Sequence, residues 1–193
     1  MLRFALLLII TAISSTATAA GLPISCSVTH EVLTLDPEPN EFYKTNNLRR
    51  KIGAATSAKG EAILIKGQLL DERCVPVSDA IIELWQPNGD GTYLFPDKAK
   101  HKNLHVDFPG SGTASTDKLG RFEFLTVMPG PYKKEAAHIN LRIKHAKFDE
   151  LETAAFLGGS ERGAKTVASG SSEFGKIYNV TVTLKGVGQY RTY

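Results

Sequence analysis

The chain has 193 residues, with 23 Lys and Arg against 20 Asp and Glu, for a formal net charge of +3. So even a balance, with no basic run interleaved with aromatics, excludes the electrostatic footprint of a nucleic-acid binder. Seventeen Gly and nine Pro punctuate the sequence, and the absence of long helical periods favours short strands joined by turns.

The first residues read as an export signal. Arg3 supplies a basic start, residues 5–13 an apolar run, and residues 14–20 a small-residue stretch with Ala17 and Ala19 in an Ala-x-Ala arrangement. That is the layout of a cleavable secretory leader, and cleavage is expected after Ala19 or Ala20. The apolar run falls short of the roughly 20 residues a spanning helix needs, so no transmembrane segment is expected. The mature protein is expected to be periplasmic or secreted. Ser25 before Cys26 raises lipid attachment as an option, but Pro23 and Ile24 make a poor signal, and anchoring there is not expected. Export makes a disulfide the expected state of the two cysteines, Cys26 and Cys74. Without the leader, which carries only Arg3, 22 basic and 20 acidic residues remain. A chain of this size is one domain and buries about two thirds of its surface.

Residues 31–50 are polar, hold Pro37 and Pro39, and read as an extended arm. The expected organisation is a leader over 1–20, an N-terminal arm over 21–60 and a β-sandwich over 61–193. Ile63, Ile65 and Leu69 alternate with polar positions. Ala80, Ile82 and Leu84 alternate with Ile81, Glu83 and Trp85, which predicts a strand covered on both faces. Asn88-Gly89-Asp90-Gly91 and Asp117-Lys118-Leu119-Gly120 carry turn chemistry. Phe122 and Phe124 flank Glu123 in a further strand. In residues 137–145, Ile139, Leu141 and Ile143 fall on one face, while His138, Asn140, Arg142 and Lys144 fall on the other, since side chains alternate with period two. The ordinary reading of that second face is a solvated one. Residues 146–157 fit either a short helix or an irregular strand, and residues 169–172 read as a mobile loop. Tyr178, Val180, Val182 and Leu184 form the last alternating run. The sum is an all-β, two-sheet sandwich.

Three ordered stretches carry a resemblance. Residues 71–93 (DERCVPVSDAIIELWQPNGDGTY), residues 107–132 (DFPGSGTASTDKLGRFEFLTVMPGPY) and residues 137–141 (AHINL) resemble, in that order, the core of the intradiol ring-cleavage dioxygenases, the family of protocatechuate and catechol dioxygenases. The upstream stretch EFYKTNNLRRKIG resembles that family's arm. The resemblance implies non-haem Fe3+ held by two tyrosines and two histidines, and cleavage of a catechol-type ring by O2 between its hydroxylated carbons. Carried over residue by residue, the tyrosines are Tyr93 and Tyr132 and the first histidine is His138. All three are also the catalytic residues this reading implies. The second histidine's position holds Asn140, a weak neutral donor, which is carried as a metal-site residue with His101 and His105 as candidates to supplement it. Ferric iron suits such a set because a bound cation can deprotonate a phenol that titrates near pH 10 when free, and phenolates balance its charge.

Two further departures surround the site. Glu135 stands where the family carries an arginine three residues before the first histidine, and a glutamate there opposes negative charge developing on a substrate. No glutamine occurs near Thr153 or Ala154, where the family has one. Two functional readings therefore stand: an iron dioxygenase with an altered ligand set, or a secreted binding module that keeps the sandwich without the chemistry. A transthyretin-like interaction domain is a weaker third. Some members of the family dimerise, so a homo-oligomer stays open.

Overall fold

Period-two alternation is realised as eight β-strands: β1 (Ala62–Leu70), β2 (Ile81–Trp85), β3 (Ser111–Ser115), β4 (Arg121–Val127), β5 (His138–His145), β6 (Phe148–Phe156), β7 (Lys165–Ser172) and β8 (Gly175–Thr183). The computed structural model describes residues 25–33, 36–95, 107–160 and 162–188. The expected leader lies outside the described residues, as do His101 and His105. Among the described residues no helix is long and apolar enough to cross a membrane.

The strands form two four-stranded sheets, ordered β4-β1-β8-β7 and β3-β2-β5-β6. β1 runs antiparallel to β4 and parallel to β8. β2 runs antiparallel to both β3 and β5, and β5 to β6. The sheets bury facing rows: Ile63, Ile65, Leu69, Phe122, Phe124, Tyr178, Val180 and Val182 from one, Ile82, Leu84, Ile139, Leu141, Ile143 and Ala155 from the other. Gly67 lies opposite Phe122 in the ladder, and the ring fills the space a side chain at 67 would need. Gln86, fully buried at the end of β2, joins the sheets. Its amide donates to the Val127 carbonyl at 2.9 Å and its oxygen accepts from Thr126 Oγ1 at 3.0 Å.

Four expectations are settled by this architecture. Residues 148–156 are a strand, not a helix, because Phe148–Phe156 completes the edge of the second sheet against β5. Residues 169–172 are not a loop: Ser171 and Ser172 pair with Lys176 and Gly175, and β7 reaches Ser172. The β2 strand is covered on both faces only at its far end, where Trp85 is buried; Ile81 is 47% exposed. The face of β5 bearing His138 and Asn140 is not solvated, since both side chains are buried.

What covers them is the arm. Cys26 and Cys74 are joined in a disulfide, and Cys26 N–H donates to the Glu72 carbonyl at 2.9 Å. Thr29 exchanges hydrogen bonds with Thr183, Val32 N–H donates to the Glu152 carbonyl, and Thr153 Oγ1 donates to the His30 carbonyl at 2.9 Å. Further along, Phe42 packs edge-on against Trp85, with centroids 5.9 Å apart.

Candidate metal centre

Two glycine-bearing turns bring the tyrosines together. The side chain of Asn88 closes the first, its Oδ1 accepting from Asp90 and Thr92 N–H at 3.0 and 2.9 Å. Gly91 takes a φ of 78°, which favours glycine. The second turn packs against the first: Gly130 N–H donates to the Asn88 carbonyl at 2.9 Å. A Cβ on Gly91 would collide with the Pro131 carbonyl, and one on Gly130 with the Gly91 and Gly89 backbone. Two chain segments meet without side chains between them, so Tyr93 and Tyr132, which follow, meet edge to face with centroids 4.9 Å apart.

β5 supplies the opposing wall. His138 and Asn140, each 1% exposed, project the same way as alternation requires. The Nδ1 atom of His138 lies 2.7 Å from the Ala136 carbonyl. A carbonyl can only accept, so Nδ1 carries a proton and Nε2 points into the site. That is the usual arrangement of a ligating histidine, whose second nitrogen is fixed by an outer hydrogen bond.

A residue absent from the sequence-based site sits at the centre. Asp36 Oδ2 lies 2.5 Å from His138 Nε2, 2.8 Å from Tyr93 Oη and 3.1 Å from Asn140 Nδ2, and the Asp36 side chain is 3% exposed. Asn140 Nδ2 also donates to Tyr93 Oη at 2.9 Å. Asn140 thus joins the cluster with its N–H aimed at the oxygens of Asp36 and Tyr93. Among the described residues no three His, Cys, Asp or Glu side chains gather at one point; the set here mixes one carboxylate and one imidazole with phenols.

The electrostatics follow from this packing. Burial pushes the Asp36 carboxyl up, but hydrogen bonds from His138, Asn140 and Tyr93 outweigh it and hold the group below the usual carboxylate range. Burial opposes the His138 imidazolium, while Asp36, the Ala136 carbonyl and the charge of Glu135 outweigh it and hold the group above its ordinary value. Both shifts favour the charged forms, an imidazolium beside a carboxylate. Burial first, and then the Asp36 charge, push the Tyr93 phenol far above its usual value. A cation in this cluster would reverse that last effect.

Glu135 lies outside this buried group. Its carboxylate pairs with Arg162 at 3.6 Å, and Arg162 lies over the Phe156 ring, which in turn packs on His138 with centroids 5.3 Å apart. An arginine therefore does approach the site, from the β6–β7 connection. Thr153, near the position of the family's glutamine, is turned to the arm through His30.

Comparison with known proteins accords with this geometry. A family model described as Dioxygenase matches residues 40–161. A "Putative dioxygenase" of Rickettsia felis is 38% identical over 135 residues, covering 66% of this chain and 64% of the relative. This chain thus spans under two thirds of that relative's length. The protocatechuate 3,4-dioxygenase beta chain of Burkholderia cepacia is 40% identical over 73 residues, 38% of this chain and 31% of that one. Among solved structures, the intradiol ring-cleavage dioxygenase of Tetranychus urticae superposes with a TM-score of 0.63 at 17% identity, covering 86% of this chain and 98% of that one, a likeness of fold. The sandwich, the two tyrosine turns and the matched segment agree: the chain belongs to the intradiol ring-cleavage dioxygenase family.

Proposed function

We propose that this protein is an exported iron dioxygenase that opens a catechol-type ring between its two hydroxylated carbons, with O2 as co-substrate. Membership of the family supports ring cleavage in general. One observation carries the finer reading: the hydroxyl of Tyr93 and Nε2 of His138 converge on one buried atom, Asp36 Oδ2, with the Tyr132 ring against Tyr93. These donors fit ferric iron. Phenolic oxygens suit a hard cation, and the proton on His138 Nδ1, held by the Ala136 carbonyl, leaves Nε2 for ligation. Tyr93, Tyr132 and His138 would hold the ion, and when bound it would orient and activate a chelating diol toward oxygen.

The protein's own groups supply the rest. Asn140 orients the oxygens of Tyr93 and Asp36 through its amide N–H. Tyr132 is the more exposed phenol, and as the phenolate that a bound cation stabilises, its oxygen would accept a proton from an incoming diol. Phe95, whose ring leans on Tyr93 at 5.7 Å, borders a cavity of about 440 Å³ shared with Phe42, Tyr43, Pro39 and Pro109. That volume and aromatic lining suit a single-ring substrate. The disulfide accords with an oxidising compartment and so with export.

A second reading, a binding module without turnover, draws on the closed set of hydrogen bonds that Asp36 makes at the point of convergence. Ferric iron added to the mature protein separates the two. The dioxygenase reading requires stoichiometric iron, a visible tyrosinate-to-iron charge-transfer band that Tyr93→Phe and Tyr132→Phe bleach or shift, and oxygen uptake with catechol or protocatechuate. A colourless protein without bound iron would sink the metal centre. Colour without oxygen uptake would leave the binding module. Mass spectrometry of the exported chain, beginning at residue 20 or 21, checks the leader.

A further inference from the structure

We infer that Asp36, delivered by the N-terminal arm, is a metal ligand of this centre and takes the place of the second histidine. The inference rests on the iron reading above and names a donor the family pattern does not contain. Asp36 lies four residues before the segment the family model matches.

Position comes first. The carboxylate oxygen Oδ2 is the atom that Tyr93 Oη, His138 Nε2 and Asn140 Nδ2 all face, at 2.8, 2.5 and 3.1 Å. A cation gathered by Tyr93 and His138 would enter where Oδ2 now sits, and a small turn of the Asp36 side chain would leave the carboxylate beside it as a donor. Asn140, at the position of the missing histidine, cannot replace it in this orientation. Its Nδ2 is a donor and carries no lone pair for a metal. Instead it hydrogen-bonds to both Asp36 and Tyr93, as an outer group does when it aims a ligand.

The chain also holds Asp36 firmly. Upstream, the disulfide and the Thr29–Thr183 and Val32–Glu152 hydrogen bonds tie the arm to both sheets. Two residues downstream, the Glu38 carboxylate pairs with Arg142 at 2.7 Å. Pro37 between them fixes φ near −65° and keeps the segment extended. A carboxylate fastened on both sides and buried to 3% exposure is more than a mobile tail meeting a histidine.

Charge closes the case. Two phenolates and a carboxylate sum to −3 and neutralise ferric iron without an added hydroxide. A carboxylate is also a harder donor than the imidazole it replaces, in keeping with a hard cation.

The test uses the full mature protein with ferric nitrilotriacetate as the probe. Iron retention is read by competition with a chelator, and the ligand set by the visible band and by electron paramagnetic resonance. Asp36→Asn should weaken retention at least about tenfold, in the range expected when a metal site loses support, and should shift the band. Asn140→His in the Asp36→Asn background should restore retention, since it returns the donor the family carries; a merely structural role for Asp36 would show no such rescue. Asp36→Glu, which keeps charge and donor, covers the case in which Asp36→Asn fails to fold: it should keep iron with an altered signal. Unchanged or tighter binding by Asp36→Asn or Asp36→Ala would overturn the assignment and make Asp36 a plug, while a coloured wild-type protein would keep the iron reading standing. A wild-type protein that neither colours nor binds would end both.

Discussion

Arg142 on β5 is where the arm's attachment can be tested by one change. Its guanidinium, 12% exposed, meets four carboxylates: Glu38 at 2.7 Å, Glu152 at 3.0 Å, Glu150 at 3.4 Å and Glu83 at 3.6 Å. It also lies 5.4 Å from the centre of the Trp85 ring. Arg142→Met keeps most of the stem and deletes the charge. Glu38 and Glu150 are about half exposed, so each lost pair costs only about 0.2–1 kcal/mol. Glu83 keeps Lys144 at 2.9 Å. Glu152 is the sheltered partner left alone, and a charge-assisted bond of that kind is worth about 1.5–3 kcal/mol. With about 1 kcal/mol for the cation–π contact, the loss sums to about 3–6 kcal/mol. For a chain of this size that lowers Tm by about 6–24 °C. Calorimetry measures it, and limited trypsin digestion at Lys44, Arg49 and Arg50 reports whether the arm has loosened. The three glutamates that lose their partner, Glu38, Glu150 and Glu152, also mean that mild acid should partly rescue the variant. A Tm within 2 °C of wild type (about 0.5–1 kcal/mol by the same scale) with unchanged digestion would refute the idea that this residue fastens the arm.

Three further outcomes follow from the same geometry. Cys26→Ser with Cys74→Ser removes a cross-link between residues 48 apart, worth about 4 kcal/mol by loop entropy; urea unfolding should show the midpoint fall, and the variant's iron retention should drop because Asp36 loses its upstream anchor. Gly130→Ala drives a methyl into the Gly91 and Gly89 backbone, so it should cost about 1–3 kcal/mol and weaken the charge-transfer band more than a destabilised surface variant does. In the metal-free protein, Asp36 contributes stability above its unfolded pKa that is lost as pH falls through its lowered folded value, and His138 contributes stability below its unfolded pKa that is lost as pH rises through its raised folded value. Their joint contribution is therefore greatest between about pH 4 and about pH 6.5, and Asp36→Asn should flatten the pH dependence of Tm on both sides.

The sandwich was legible because each strand buries one face. Ile63, Ile65, Phe122, Phe124, Ile139, Leu141 and Ile143 announce themselves by alternation and all reach the core. The 148–156 strand was ambiguous because Phe148, Leu151, Ala155 and Phe156 approximate helical spacing, and pairing with β5 decides it. Polar edge residues 169–172 read as a loop because nothing apolar marks them, whereas their pairing with β8 is a backbone property. Tyr93, Tyr132, His138 and Asn140 do come together, from turns and a strand that motifs identify. Asp36 was missed for a physical reason. It lies 102 residues from His138, in a polar segment with no apolar periodicity to place it.

A signal for Asp36 nonetheless exists, and it is the same period of two. On β5 the side chains of His138, Asn140 and Arg142 share one face. In the arm, Asp36-Pro37-Glu38-Pro39 sets two acids two residues apart, with prolines that hold the backbone extended. Two acids spaced by two on an extended segment project to one side, and so do the basic groups of β5. The structure matches them: Asp36 to His138 and Glu38 to Arg142. A sheet face carrying a histidine, an asparagine and an arginine satisfies its polar groups either with water or with such an acidic strap, and burial of His138 and Asn140 to 1% exposure rules out water for the first two. The arm is therefore not a spacer before the sandwich. It is the complement of the β5 polar face, Asp36 meeting His138 and Asn140 as Glu38 meets Arg142.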